Sequence, residues 1–422
     1  MIHLDLRRMG APKVRDGAAA LAAMTDLEAG GIANPSEGRQ VGHYWLRSQA
    51  LHGDTIRAMH DAVDALDTDG FDTFVWCGIG GSALGPQLLA DALPVTGLRP
   101  VFLDNTDPAG VDRALQGVDL SRALVLVVSK SGGTRETSNA FAEVCARGVD
   151  PARQAIAVTV PGSALDRRAR DWRGMIPLWD WVGGRTSITS AVGLLAMKLM
   201  GQDWRAFLQG AADMDERTLG PDNPALNLAC SWLDAAPRSM VVLPYADGLK
   251  LFSKYLQQLV MESLGKDGQG LTVFGNKGST DQHAYVQQLR DGPDDFFATF
   301  VAVVGGPRGI EVERGVTSGD YLQGFLLGTR NALSARGKRS LTLRIDALDA
   351  WHLGGLVALY ERAVGYAATL MGINAYDQPG VEAGKTAASR ALEALAALRA
   401  GEAVEDLAED DRELLIRWLE NG

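Results

Sequence analysis

FVWCGIGGSALGPQLLADAL, Phe74 to Leu93, joins a short apolar run to a glycine turn and then to a longer amphipathic stretch. The same alternation continues through RPVFLDN (99–105), ALVLVVS (123–129), a helix-like TRETSNAFAEVCARG (134–148) and QAIAVTV (154–160). Short apolar runs separated by helical stretches predict a parallel sheet, because a parallel connection needs a crossover long enough to hold a helix. The pattern pauses between Gly201 and Pro224, where LGPDNP (219–224) is dense in turn residues. It resumes with SMVVLPY (239–245), a helix over 248–264, TFVAVVG (299–305), a helix over 319–335 and LTLRID (341–346). From about Thr386 the chain is rich in Ala, Leu and Glu with a helical period. The expected fold is therefore α/β: two successive units, each a mainly parallel sheet flanked by helices, and a C-terminal helical arm. The boundaries are an N-terminal helical segment over 1–69, a first α/β domain over 70–215, a second over 216–375, and the arm over 376–422.

Length and composition agree with this. At 422 residues the chain exceeds one ordinary core, and roughly 150 residues per domain predicts two or three domains. A hydrophobic fraction of 46% with 22% charged residues is globular, since disorder needs fewer apolar groups and a larger charge excess. A net charge of −11 argues against a nucleic-acid partner, which requires a basic face. Cys77, Cys145 and Cys230 lie far apart with no Cys-x-x-Cys spacing, so neither a disulfide framework nor a zinc knuckle is suggested and a reducing compartment fits. Asp5 interrupts the N-terminus before any continuous apolar core, and no run approaches the roughly 18 residues of a membrane span. A soluble cytoplasmic protein is expected.

Two turns carry candidate chemistry. GIGGSALG (78–85) follows an expected strand and opens a helix, an arrangement that faces backbone N–H groups toward an anion, with Gly81 and Ser82 as candidate contacts. Gly78, Gly80 and Ala83 also meet the dinucleotide pattern G-x-G-x-x-A, with Asp104 as a possible ribose ligand, although such turns are often only steric. VVSKSGGTRET (127–137) places Ser129, Lys130, Ser131 and Thr134 around two glycines, again between strand and helix. Glycines allow close backbone approach, hydroxyls donate, and the helix dipole favours a dianion, which suits one phosphate monoester. The spacing is not that of a Walker A loop, and the simpler alternative is a solvated Ser/Thr helix cap. Neighbouring anion-binding turns dominated by hydroxyls suit a phosphorylated sugar better than a dinucleotide.

GIGGSALGP and SKSGGTRET together resemble the sugar isomerase (SIS) type of phosphosugar-binding domain. GGRTSITSAVGL (183–194), QLVMESLGK (258–266), GNKGSTDQHAYVQQL (275–289) and YDQPGVEAGK (376–385) narrow the resemblance to the glucose-6-phosphate isomerase family, over about 70–390 and in the family's order. The resemblance implies reversible conversion of glucose 6-phosphate to fructose 6-phosphate through a cis-enediol, in glycolysis and gluconeogenesis, with no metal or organic cofactor.

A single carboxylate can carry the proton between neighbouring carbons. The resemblance assigns this to Glu262, near the end of the 248–264 helix, with Gln258 one turn before it as a substrate contact. Read alone, Glu262 would be a surface helix glutamate. His283 is read as opening a helical stretch, whose positive end favours a neutral imidazole. The family uses such a histidine in ring opening and donates it from the partner subunit, which implies a homodimer. Lys385 ends D-Q-x-G-V-E-x-x-K and is placed near the sugar ring, with Gln378 as a substrate contact. Arg185 of GGR would stabilise the enediolate, because a guanidinium stays charged. Glu136 matches a family acid near the phosphate loop. Thr186, Leu264 and Pro379 depart from the family's usual residues, and the chain resembles the compact bacterial type. Three competitors remain: an isomerase that also accepts mannose 6-phosphate, a non-catalytic phosphosugar-binding protein, and a nicotinamide enzyme using Gly78, Gly80 and Asp104.

Overall fold

The computed structural model describes residues 1–10, 18–19, 21–22, 33–34, 39–40, 49–220, 222–235, 239–404 and 407–421. The chain divides into two compact units, Met1–Tyr376 and Asp377–Gly422. It opens with a difference from the sequence reading, which makes 1–69 helical. Strand β1 (Ile2–Asp5) pairs antiparallel along the edge of a sheet. Its sequence, IHLD, alternates apolar and polar residues, and Ile2 is buried where an edge strand meets the core. A helix does span Gln49–Asp64, while 11–17, 23–32 and 41–48 lie outside the described residues.

Five parallel strands make the first sheet: β2 (Thr73–Cys77), β3 (Arg99–Leu103), β4 (Ala123–Val128), β5 (Ala155–Thr159) and β6 (Gly174–Pro177). Their order is β3-β2-β4-β5-β6. The second sheet contains β7 (Ser239–Tyr245), β8 (Thr272–Gly275), β9 (Phe296–Val303) and β10 (Ser340–Ile345), in the order β1-β10-β9-β7-β8. Every pairing in it except that of β1 is parallel.

Both sheets bury both faces, which explains why their strands read as continuous apolar runs. Along β2, Phe74 and Trp76 join one cluster while Val75 and Cys77 join another. Along β7, Met240 and Val242 fall in the same cluster as Phe74, and Val241 and Leu243 in a third. The two sheets thus share a central core, and this is why they form one compact unit. The helix Ala350–Met371 is buried along most of its length and runs through that core beside the helix Trp204–Arg217. Their approach depends on small residues: a Cβ on Gly354 would lie 1.9 Å from the Phe207 carbonyl oxygen.

The helix expected over 248–264 is not uniform. A 3₁₀ turn, Asp247–Leu249, precedes an α-helix, Phe252–Leu256, and a π-helix, Gln257–Glu262. Ser253 Oγ donates to the Gly275 carbonyl at 2.6 Å and Gln257 Nε2 to that of Val273 at 3.1 Å, which holds the segment on β8. In the second unit the helices are Gly380–Arg399 and Glu409–Asn421. No helix among the described residues is long and apolar enough to cross a membrane.

The helix Ala350–Met371 carries polar residues inside the core. Arg362 pairs with Asp215, both buried, and Tyr255 Oη donates to Glu361 Oε1 at 3.2 Å. Burial holds the Glu361 carboxyl well above the ordinary range, against the opposing effect of the Tyr255 hydrogen bond. A raised folded-state pKa contributes stability that is complete below the ordinary glutamate value and fades as pH rises through the folded value. Glu361→Gln keeps the shape and the acceptor without the titration. Its unfolding free energy in urea should therefore gain on wild type as pH rises above the ordinary glutamate range, by up to about 1.4 kcal/mol per pH unit. Parallel pH curves for the two proteins would mean that Glu361 is ionised in the folded state.

Candidate active site

The chain runs from β2 outward to β3 and returns to β4 on the other side of β2, so the strand order reverses between β2 and β4. Ligands of open α/β sheets lie in the crevice beyond the strand ends at such a point. Both candidate turns are there. After β2, Gly80–Ser82 makes a 3₁₀ turn before the helix Leu84–Ala92, and Trp76 Nε1 holds the turn by donating to the Ser82 carbonyl at 2.6 Å. Asp104 accepts from Gln87 Nε2 at 2.7 Å.

After β4, the hydroxyls gather in a small knot. Ser129 Oγ lies 3.2 Å from Thr134 Oγ1 and accepts from the Gly132 N–H at 3.1 Å, and Ser131 Oγ accepts from the Gly133 N–H at 3.2 Å. Lys130 is half-buried between them, and its carbonyl accepts from Thr159 Oγ1 at 3.1 Å. Thr134 occupies the N-cap of the helix Arg135–Ala146, yet its side chain makes no capping hydrogen bond. The reading of this turn as a simple Ser/Thr cap is thereby disfavoured: the hydroxyl faces Ser129, and the helix's first N–H groups are not taken by it. Glu136 lies in the first turn, half-buried, where its charge suits the helix dipole.

A third turn, Gly184–Thr189, packs directly on the first. A Cβ on Gly81 would stand 2.2 Å from the Gly184 carbonyl oxygen, so only glycine permits this contact. Ser187 Oγ donates to the Gly81 carbonyl at 3.0 Å. The same turn carries Arg185, only 6% exposed, whose Nε lies 3.4 Å from Glu262 Oε2. The Arg185 guanidinium also donates to the Ala375 carbonyl. Glu262 ends the π-helix with its side chain 24% exposed, and a Cβ on Gly80 would meet Gln258 Nε2 at 3.3 Å. Single π turns are frequent at functional sites. The fold thus gathers Gly81, Ser82, Arg185, Gln258 and Glu262, with the hydroxyl-rich turn on the adjacent strand.

The remaining candidates are His283 in the first unit and Gln378 and Lys385 in the second. His283 is exposed at the C-cap of the short helix Gly278–Gln282, ahead of the helix Val286–Asp291. This corrects the expectation that it opens a helix, because Tyr285 rather than His283 begins the next one. Among the described residues no hydrogen bond or ion pair joins His283 to Glu262 or Arg185. Gln378 and Lys385 belong to the second unit. Gln378 is half-buried, its carbonyl accepting from the Val381 N–H at 3.3 Å, and Lys385 is exposed on Gly380–Arg399. Thr186 and Leu264, which depart from the family pattern, are both buried. The sequence reading missed the π winding and gave no role to Lys266, although QLVMESLGK contains it.

Parallel sheets with hydroxyl-rich turns at a switch point, a carboxylate and a guanidinium beside them, define a protein of the phosphosugar isomerase class. A solved glucose-6-phosphate isomerase from Chlamydia trachomatis superimposes with a TM-score of 0.81 at 26% identity, covering 100% of this chain and 92% of that one. The phosphoglucose isomerase family model matches residues 54–312 and 295–408. The chain belongs to the phosphoglucose isomerase family. It is 53% identical over 426 residues to the glucose-6-phosphate isomerase of Geobacter sulfurreducens, covering 89% of this chain and 80% of the relative. It is 48% identical over 447 residues to the chloroplastic glucose-6-phosphate isomerase 1 of Arabidopsis thaliana, covering 93% and 72%.

Proposed function

We propose that this chain interconverts glucose 6-phosphate and fructose 6-phosphate, with Glu262 as the proton carrier and Arg185 as the stabiliser of the enediolate. The observation that carries this reading is the Arg185–Glu262 pair at 3.4 Å, set on the turn that packs against Gly81. The names of the relatives, glucose-6-phosphate isomerases at about half identity, support the same activity. Ser129, Lys130, Ser131 and Thr134 hold the phosphate, with Gly81, Ser82, Glu136, Gln258 and Gln378 around the sugar. His283 and Lys385 open the ring.

In the open chain, the Glu262 carboxylate removes the C2 proton and the electron pair moves to make the C1–C2 double bond, placing negative charge on O1. The fixed charge of Arg185 stabilises that oxygen. Once a proton has passed from O2 to O1, Glu262 returns its proton to C1 and the carbonyl forms at C2. No electrons leave the sugar. In this reading 70–215 supplies the phosphate loop, 216–375 the base and the histidine, and 376–422 the lysine. The enzyme works in the cytoplasm as a homodimer, with His283 given across the interface.

A coupled assay from fructose 6-phosphate tests the activity, and mannose 6-phosphate in the same assay separates the dual-specificity alternative. Absence of turnover with either sugar would defeat the proposal. Within that assay, Ser131→Ala and Thr134→Ala should mainly raise the Michaelis constant, since each removes a hydrogen bond to a charged group worth roughly 1.5 to 3 kcal/mol. Both variants should also bind 6-phosphogluconate more weakly. Unchanged binding of that sugar acid places the phosphate elsewhere.

A further inference from the structure

Glu262 ends the π-helix, and Ser263 and Leu264 finish the helical run, where the last carbonyls lack intrahelical partners. Lys266 meets one of them: its Nζ donates to the Ser263 carbonyl at 3.0 Å, directly after the carboxylate residue. The same ammonium donates to the Asn374 carbonyl. The next carbonyl along, that of Ala375, receives the Arg185 guanidinium, and Arg185 returns to Glu262. A closed circuit therefore runs from Glu262 through Arg185, Ala375, Asn374 and Lys266 to Ser263. The Asn374–Ala375 stretch is itself shaped by the Asn374 side chain, which accepts from the Tyr376 N–H at 3.0 Å.

The turn behind Lys266 is also constrained. Asp267 is the one non-glycine among the described residues with a left-handed backbone, at φ 52°. Such a conformation costs on the order of 1–3 kcal/mol and persists where the surroundings over-determine it. The Lys266 carbonyl accepts from the Gln269 N–H at 2.8 Å, which closes that turn.

We propose that Lys266 is a positioning residue for Glu262: by joining the end of the π-helix to the Asn374–Ala375 stretch that also anchors Arg185, it sets the carboxylate against the guanidinium. Lys266 touches no substrate in this role and transfers no proton. The proposal rests on Glu262 being the proton carrier.

Its test uses the full-length protein in the fructose 6-phosphate assay, with Glu262→Gln as a separate control of the base assignment. Lys266→Met removes both hydrogen bonds and keeps the aliphatic stem. Turnover should fall about 10- to 100-fold, the cost of a small misplacement of a catalytic group, with the Michaelis constant and 6-phosphogluconate binding within about twofold of wild type. Lys266→Arg, which can reach both carbonyls, should restore most of the loss. Added to Glu262→Gln, Lys266→Met should cause no further drop in residual turnover, because its effect passes through the carboxylate.

Wild-type turnover in Lys266→Met, a change confined to the Michaelis constant, or a full additional loss in the double variant would overturn the proposal. If Lys266→Met does not fold, Lys266→Gln, a shorter neutral side chain that lacks the ammonium, must show the same split between turnover and Michaelis constant or the proposal fails. An active Glu262→Gln protein would instead defeat the base assignment, and the two failures are thus told apart.

Discussion

Glu262→Gln should lower turnover on the order of 10³ or more while leaving the Michaelis constant within a few-fold of wild type. The amide keeps the volume of the carboxylate and its contact with Arg185, which lies 3.4 Å away, but it cannot accept the carbon-bound proton. Because the proposed phosphate turn and the Gly81–Gly184 contact are untouched, binding of 6-phosphogluconate should persist. The informative comparison is between those two measurements on one preparation. Retained turnover would remove Glu262 from the mechanism, and a parallel collapse of 6-phosphogluconate binding would make the residue a structural one.

His283→Ala and Glu262→Ala homodimers should each be nearly inactive, and mixing them should restore activity. His283 is exposed at a helix C-cap, and in the proposed arrangement it serves the partner's site. If it crosses the interface, a heterodimer has one site with both defects and one intact. About half of wild-type activity per heterodimer then returns, as two-fold symmetry requires. If His283 serves its own chain, every site keeps one defect and nothing returns. Heterodimers purified through two different tags decide between these outcomes, and a failure to complement leaves the Glu262 assignment standing.

Much of the architecture was legible in the residues. Apolar runs such as ALVLVV, alternating with amphipathic stretches, carry the signal of strands buried on both faces, and this signal is local. The glycine and hydroxyl residues of SKSGGT are informative for the same reason, since close backbone approach and N–H donation at a strand-to-helix turn depend on a few adjacent residues. The motifs around Glu262, Arg185, His283 and Lys385 carried the family, and the family model confirms it.

What the residues alone did not decide involves partners far apart in the chain. Ile2–Asp5 is short enough to read either way until β10 offers it an edge. Hydrophobic spacing over a single turn does not separate α from π winding, so the form of Gln257–Glu262 emerged only with its anchors on β8. Tyr255 and Glu361 read as an ordinary aromatic and an ordinary charged helix residue, and only packing in the central core makes the second a buried carboxyl with a raised pKa. Lys266 shows the limit most plainly. Its acceptors are the backbone carbonyls of Ser263 and Asn374, and every residue has a carbonyl, so no side-chain pattern marks them. The sequence by itself determined the layers, the hydroxyl-rich turn and the family, because those rest on local periodicity and residue type. Only the tertiary structure decided which cation meets which carbonyl around Glu262, because that depends on where distant segments of backbone come to rest.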